Sequence, residues 1–159
     1  MSKNNRLLNN FLVKKMALKW RFEYAPKIEK FKNCHKGEDC FIIGNGPSLN
    51  RMDLTKLDGY HLFGLNKINL LFKRVKLDLS YHVSVNNLVI EQSLSEFKQL
   101  SCPCFLSYQK STLLTKDKGN INFILTAGRP YMFQVDLRKP VCEGNTVTYV
   151  AMQIAFYMG

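Results

Sequence analysis

The chain has 159 residues and a formal net charge of +11 at pH 7, so it fits one domain with a surface that attracts anions. Its 46% hydrophobic and 12% aromatic content argues against intrinsic disorder. No apolar run approaches the roughly 20 residues of a membrane-spanning helix. Zinc-finger spacing and RNA-binding motifs are lacking, so we do not expect a nucleic acid partner.

Five cysteines and three histidines are scattered along the chain without a C-x-x-C pair. We therefore expect no metal site and interpret the cysteines as buried, reduced thiols. Reduced thiols favour a cytoplasmic location, and residues 1–10 are too polar to read as a signal peptide.

The first predicted element is a helix over residues 6–22, where apolar side chains recur at steps of three and four: Leu8, Phe11, Leu12, Met16 and Trp20. This amphipathic helix is rich in lysine. It either lies on an anionic membrane face or packs its stripe on the domain and leaves its lysines in water. Pro26 ends or bends it, and residues 27–39 form a charged connector. We place residues 1–37 outside the main domain, which spans residues 38–159.

A short apolar run at residues 41–43 predicts a buried strand. It leads directly into a glycine turn that allows a ligand to approach the backbone closely. A strand that ends in such a turn is a usual phosphate site in open α/β sheets, although a glycine turn without a ligand reads the same way. The candidate binding residues here are Gly44, Asn45, Gly46, Pro47 and Ser48.

Two further strands are predicted over residues 60–65 and 77–85, the latter with the alternation of a half-buried strand. The first three strands thus end at Asn45, Asn66 and Asn86, with Asn87 next in the chain, and a helix follows over residues 88–100. Carboxyl ends of parallel strands line the ligand crevice at a switch point, and an amide both donates and accepts hydrogen bonds. We expect these asparagines to line a binding crevice, although asparagine is also a common turn residue.

The remaining pattern predicts strands at residues 104–108, 121–125 and 132–137, with a polar loop over 109–120. Gly144, Asn145 and Thr146 precede an apolar helix over residues 147–158, which Asn145 or Thr146 caps and which we expect to be buried. The fold class is therefore α/β, a mostly parallel sheet flanked by helices. Because such a helix usually leads into another strand, we expect the sheet to be incomplete at its C-terminal side.

Four stretches in order resemble the bacterial lipooligosaccharide sialyltransferases and, more closely, the motility-accessory-factor-like proteins, which are often labelled pterin-pyrophosphokinase-like. The resemblance covers residues 40–159 and is weak over 103–142. Its motifs are G-N-G-P-S-L from Gly44, F-G-L-N ending at Asn66, N-N-L-V-I-E-Q from Asn86, and G-N-T-V-T-Y-V-A-M-Q-I-A-F-Y-M-G from Gly144.

This resemblance implies a Rossmann-like glycosyltransferase that moves a nonulosonic acid, such as sialic acid, from a cytidine-monophosphate (CMP) donor without a metal or other cofactor. By position, Asn45 would contact the nucleotide phosphate or ribose, and Asn66 with Asn86 or Asn87 would contact the donor. Thr146 would lie at the helix start beside the cytidine or phosphate. The acceptor would be a lipooligosaccharide or a protein glycan, and the enzyme would work in the cytoplasm, with peripheral contact to the inner face of the membrane.

The family's general-base histidine and phosphate-binding tyrosines lie beyond the last helix of this sequence. We therefore expect an incomplete family member that binds CMP weakly, transfers little sugar and associates with itself through an uncovered helix; its catalytic residues stay unassigned. Two alternatives remain open. One is a non-catalytic nucleotide-binding protein. The other is a pterin pyrophosphokinase-like enzyme, against which the lack of a paired carboxylate cluster counts.

Overall fold

The computed structural model describes residues 3–111, 119–128 and 132–159. Five α-helices are found in these ranges: α1 (Lys3–Glu23), α2 (Ala25–Ile28), α3 (Asn87–Phe97), α4 (Tyr108–Ser111) and α5 (Val147–Met158). Short 3-10 helices occupy Glu29–Phe31, Pro47–Arg51, Leu54–Leu57 and Ile68–Lys73. The strands are β1 (Cys40–Ile43), β2 (His61–Leu65), β3 (Tyr81–Ser84), β4 (Cys104–Ser107), β5 (Ile121–Ile124), β6 (Thr126–Ala127) and β7 (Val141–Cys142).

Strands β1 to β5 form one parallel sheet in the order β1-β2-β3-β4-β5. The register aligns Cys40 with His61 and His82 with Cys104. The sheet is flanked by helices on both faces, so the predicted Rossmann-like α/β class and the N-terminal helix are confirmed. The order never reverses within this sheet, and the analogy with a switch-point crevice therefore does not apply to it.

Alternate side chains of the strands enter two apolar layers, as the period of a β-strand requires. Phe63, Val83 and Phe105 pack with α5 and with Ile28 and Phe31 on one face. The segments that connect the strands pack on the opposite face of the sheet. Ile68 packs there beside Leu62, and Ile90 and Phe97 pack beside Cys104 and Leu106.

Strand β3 is the centre of the sheet, and all four of its residues are buried. The prediction of a half-buried strand was wrong, because His82 and Ser84 face the α3 layer rather than water.

Residues 132–137 do not form the predicted strand. The backbone N–H of Gln134 donates instead to Oε1 of Gln153 at 2.9 Å, which takes this donor away from any strand ladder. A separate two-stranded parallel sheet, β6 with β7, replaces it. The predicted loop over 109–120 begins with the last residues of α4, and its part at 112–118 lies outside the described residues.

Helix α1 presents two apolar faces rather than the single predicted stripe. Trp20 is buried and its indole Nε1–H donates to the Phe123 carbonyl at 2.9 Å, while Met16 is half-buried in the same cluster. Phe11 and Leu12, assigned to the same stripe, are 64% and 53% exposed. Only the last turns of the helix pack on the sheet, so Phe11 and Leu12 lack a surface to pack on. No helix among the described residues is long and apolar enough to span a membrane.

Helix α5 has the predicted bounds and is buried along one face, with Met152 and Phe156 exposed on the other. All five cysteines are free. Three are buried as expected, but Cys34 and Cys40 are exposed, because they belong to the connector and to the first position of the edge strand β1.

Candidate functional site

The carboxyl ends of the first three strands bring the predicted residues to one edge of the sheet. The glycine turn at residues 44–48 follows β1, Asn66 follows β2, and Asn86 follows β3 by two residues. Because these strands are parallel, all three segments leave the sheet on the same side. We call this side the carboxyl edge.

A cavity of about 330 Å³ opens at the carboxyl edge and unites four of the predicted residues. We call it the asparagine cavity. Three separate stretches of the chain supply its walls: the residue after β2, the segment after β3, and the loop that leads from β7 into the start of α5. Its lining residues are Asn66, Val85, Asn86, Glu143, Asn145, Thr146 and Val147.

A second cavity of about 300 Å³ lies beside the glycine turn, and we call it the basic cavity. Asn45, Gly46 and Pro47 line it, together with the cationic side chains of Lys67 and Arg74. Consecutive residues line the two cavities, Asn66 the asparagine cavity and Lys67 the basic cavity. Of the predicted residues that the structure describes, four line neither cavity: Gly44, Ser48, Asn87 and Gly144.

Asn66 is held in an uncommon conformation by buried polar groups. Its φ is 48°, in the left-handed region that asparagine tolerates better than most residues. His82 Nε2–H donates to its carbonyl at 2.7 Å, and the Ser84 hydroxyl donates to its Oδ1 at 3.2 Å. Burial lowers the pKa of His82 to about 4, against a smaller raising effect of this carbonyl. The imidazole is therefore neutral at pH 7 and positions Asn66 through its single ring N–H.

Asn86 is the N-cap of α3, and its Oδ1 accepts the backbone N–H of Val89 at 3.2 Å. The side chain of Asn87 instead donates to Glu91 at 2.7 Å within the first turn. Of these two neighbours, Asn86 is the one that lines the asparagine cavity.

The loop before α5 turns sharply at Gly144 and Asn145, which have φ values of 53° and 63°. A Cβ at Gly144 would lie 2.3 Å from Cδ1 of Tyr149, so this turn requires glycine both for its backbone angle and for its space. Thr146 caps α5 by accepting the Thr148 N–H at 3.3 Å. The turn thus brings Asn145, Thr146 and the first N–H groups of a twelve-residue helix to the cavity wall.

Sequence reasoning missed three charged residues of this edge. Lys67 and Arg74 line the basic cavity, and Glu143 is the one ionisable side chain among the described residues of the asparagine cavity. The position of Lys67 directly after a strand-end asparagine was a usable signal. Arg74 donates to Asn50 at 2.8 Å, a contact between two connecting segments that sequence periodicity does not reveal.

The three histidines of the chain lie outside both cavities. His82 is buried in the sheet, and His61 opens β2 at the opposite, amino edge, close to His35. Comparisons of the chain with protein-family models, with curated proteins and with solved structures find no match.

Proposed function

We propose that the carboxyl edge binds a CMP-activated nonulosonic acid and that the chain belongs to the glycosyltransferase class. The observation that carries the proposal is the asparagine cavity, which gathers Asn66, Asn86, Asn145 and Thr146 from distant parts of the sequence. These same positions fall in three of the four stretches that resemble the sialyltransferases. Uncharged donors and acceptors suit the hydroxyls and base edge of a nucleoside.

The linings of the two cavities suggest how the donor would lie. The cytidine occupies the asparagine cavity, against Asn145, Thr146 and the start of α5. The phosphate faces the basic cavity, where Asn45, Lys67 and Arg74 meet the glycine turn. Each cavity has about 300 Å³, within the range of small-ligand sites. Two cations at one end favour an anionic group there.

Transfer requires a group that accepts a proton. The acceptor hydroxyl oxygen attacks the anomeric carbon while the bond from that carbon to the phosphate oxygen breaks, and CMP leaves with the electron pair. Among the described residues, Glu143 is the one carboxylate that lines the asparagine cavity, but this arrangement places the cytidine there and the anomeric carbon beyond the phosphate, so we assign no residue to the role of accepting the hydroxyl proton.

Binding without transfer is the second candidate function. It is favoured by the positions of the three histidines, none of which lines either cavity. A pterin pyrophosphokinase-like activity has less support, because Glu143 is the one carboxylate among the described residues that line the two cavities, and these residues therefore offer no paired carboxylates for Mg²⁺.

Calorimetric titration with CMP tests the binding proposal. Asn66→Gly and Asn145→Gly remove an amide and still permit the positive φ of each position. We expect each to weaken CMP binding about tenfold, the effect of one hydrogen bond of roughly 1.4 kcal/mol. Asn33 has the same backbone conformation, with φ of 54°, in the connector on the far side of the sheet. Asn33→Gly is therefore the matched control and should leave affinity unchanged.

A transfer assay with CMP-sialic acid and a lipooligosaccharide acceptor separates the two candidate functions. If sugar is transferred at this edge, turnover at a low donor concentration falls in Asn66→Gly and Asn145→Gly and is unchanged in Asn33→Gly. Tight CMP binding without turnover in the unaltered protein supports the binding function instead. A folded protein that does not bind CMP contradicts both.

We further infer that α1 contacts an anionic membrane on the cytoplasmic side. Phe11, Leu18 and Phe22 are spaced by seven and four residues, so they share the face opposite Trp20, and they are 64%, 57% and 77% exposed. Lys14, Lys15 and Lys19 flank this face and are exposed. An apolar stripe bordered by lysines is the arrangement that binds anionic lipid.

Sedimentation with anionic vesicles at low salt tests this contact. The unaltered chain should pellet with the vesicles, and the triple change Phe11→Ser, Leu18→Ser and Phe22→Ser should abolish pelleting. Val135 is 57% exposed outside α1, and Val135→Ser serves as the control. Equal pelleting of the triple variant would show that net charge alone attracts the chain.

A further inference from the structure

Two histidines and one glutamate converge at the amino edge of the sheet, opposite the carboxyl edge. One possible ligand atom from each of His35, Glu38 and His61 lies within 4.8 Å of the other two. His35 Nδ1 is 2.9 Å from Glu38 Oε2, and His61 Nε2 contacts the same oxygen. The side chains are 24%, 54% and 29% exposed, so the group is open to solvent on one side.

The backbone fixes this convergence. The connector that carries His35 and Glu38 runs beside the end of α5, where His35 N–H donates to Met158 at 2.9 Å and Gly37 N–H donates to Gly159 at 2.9 Å. His61 is the first residue of β2 and pairs in register with Cys40 at the start of β1. Two separately anchored segments therefore present their side chains to each other.

The side chains form a hydrogen-bonded unit with an outer partner. The contacts from His35 and His61 to one oxygen of Glu38 hold its carboxyl group between the two rings. His35 Nε2 lies 2.7 Å from the Tyr81 hydroxyl. An imidazole whose second nitrogen has a fixed partner is typical of metal-ligating histidines.

We propose that His35, Glu38 and His61 bind one divalent transition-metal ion of the zinc type. Two imidazole nitrogens and one carboxylate oxygen are a zinc donor set, and they leave coordination positions for water. A cavity of about 20 Å³ among these residues, Cys40 and the end of α5 has room for a single water or ion.

Binding is a tautomer exchange that needs no further reactant. His35 Nδ1 and His61 Nε2 give up their hydrogen bonds to Glu38 and coordinate the ion, and each ring carries its proton on the other nitrogen. His35 Nε2–H then donates to Tyr81, and the Glu38 carboxylate turns its lone pairs from the ring protons to the metal.

The position of the site separates it from the two cavities of the proposed donor site. It lies at the amino ends of β1 and β2, whereas both cavities open at the carboxyl ends. A bound ion would fasten the connector to β2 and, through the backbone bonds of the connector, to the end of α5. This inference is independent of the proposed sugar transfer.

Titration of the metal-free full chain with Zn²⁺ tests the site. We expect one equivalent to bind and to raise the thermal unfolding temperature, because the ion binds the folded chain preferentially. Glu38→Gln keeps the size of the side chain and a hydrogen-bonding oxygen but removes the anionic ligand. It and His61→Gln should each weaken Zn²⁺ binding at least about 100-fold, the upper range of even an outer-shell change. Glu96 is an exposed glutamate of α3 that accepts from Asn69, and Glu96→Gln is the control that should bind normally.

Two further measurements remove ambiguity. Because Cys34 and Cys40 are nearby exposed thiols, the titration is repeated with Cys34→Ser and Cys40→Ser together. Retained binding, with histidine ¹⁵N shifts that change on adding Zn²⁺, supports the proposed ligands. Loss of binding in the serine protein, or unchanged binding in a Glu38→Gln protein shown by Trp20 fluorescence to be folded, overturns the proposal.

Discussion

Among single residues, a buried histidine that does not line the asparagine cavity positions one of its walls. His82 has no exposed surface, packs against the Phe97 ring at a centroid distance of 4.3 Å and donates to the Asn66 carbonyl. Among the described residues its Nδ1 has no hydrogen-bond partner. A protonated ring would place a charge and a second N–H in an apolar layer, so the neutral form is strongly favoured.

This burial predicts a specific loss of stability in acid. The pKa of His82 falls from 6.5 to about 4 on folding, so the unfolded chain binds more protons between these values and stability falls as pH decreases through them. From about pH 7.5 to pH 5 the loss from this residue is on the order of 2 kcal/mol. Urea unfolding of the unaltered protein and of His82→Gln at both pH values measures it.

Glutamine keeps an N–H for the Asn66 carbonyl and does not titrate. The variant should therefore show a smaller pH dependence, while all other ionisable groups contribute equally to both proteins. Parallel pH dependences would show that His82 does not resist protonation in the folded state.

Residue patterns pointed to the residues of the asparagine cavity but not to the cluster of His35, Glu38 and His61. Asn66, Asn86 and Asn145 could be proposed because each follows a strand or precedes a helix, which are local signals. His61 and Glu38 are 23 residues apart, and only the register of β1 with β2 and the anchoring of the connector bring them together. Scattered histidines in a sequence say nothing about such a contact.

At the scale of elements, α5 joins the small sheet to the large one through a buried polar side chain. Gln153 has no exposed surface. Its Nε2 donates to the carbonyls of Cys142 and Tyr149 at 2.8 and 2.9 Å, and its Oε1 accepts from Gln134 and Cys142. This one side chain therefore satisfies backbone groups of β7 and of the irregular segment that precedes it.

Gln153→Met should lower the free energy of unfolding by about 3 kcal/mol. Methionine has a similar size but leaves buried N–H and C=O groups of Cys142 without their partner, at roughly 1–3 kcal/mol for each unsatisfied group. Urea titration followed by Trp20 fluorescence measures the change. Met152 is the adjacent residue and is 47% exposed, so Met152→Ala should cost less than about 1 kcal/mol. Similar losses for the two variants would contradict this account.

The elements with strong periodicity were predicted well, and α5 has the predicted bounds because its apolar spacing, its cap and its final glycine agree. The strand predicted at residues 132–137 was wrong because a β-like composition was its only signal. Oε1 of Gln153 accepts the backbone N–H of Gln134 there. The prediction of a single apolar stripe on α1 was wrong because helical spacing identifies apolar residues but does not show how far the sheet extends beneath the helix.

At the scale of the whole molecule, three surfaces have distinct chemistry. The carboxyl edge combines amides with two cations, the amino edge gathers two imidazoles and a carboxylate, and α1 presents an apolar face between lysines. The sheet separates the first two surfaces, so changes at one should not alter binding at the other. The net charge of +11 suits both an anionic donor and an anionic membrane.

The proposed function requires that a cytidine nucleotide binds at the carboxyl edge. The most direct test is a ¹H–¹⁵N NMR titration of the full chain with CMP, in which the amide signals report where the nucleotide lies. The account predicts saturable shifts centred on Asn66, Asn86, Asn145 and Thr146, with smaller shifts at Asn45 and Lys67, and unchanged signals for His35 and His61. A folded chain whose spectrum does not respond to CMP, or whose shifts centre on the amino edge or on α1, would contradict it.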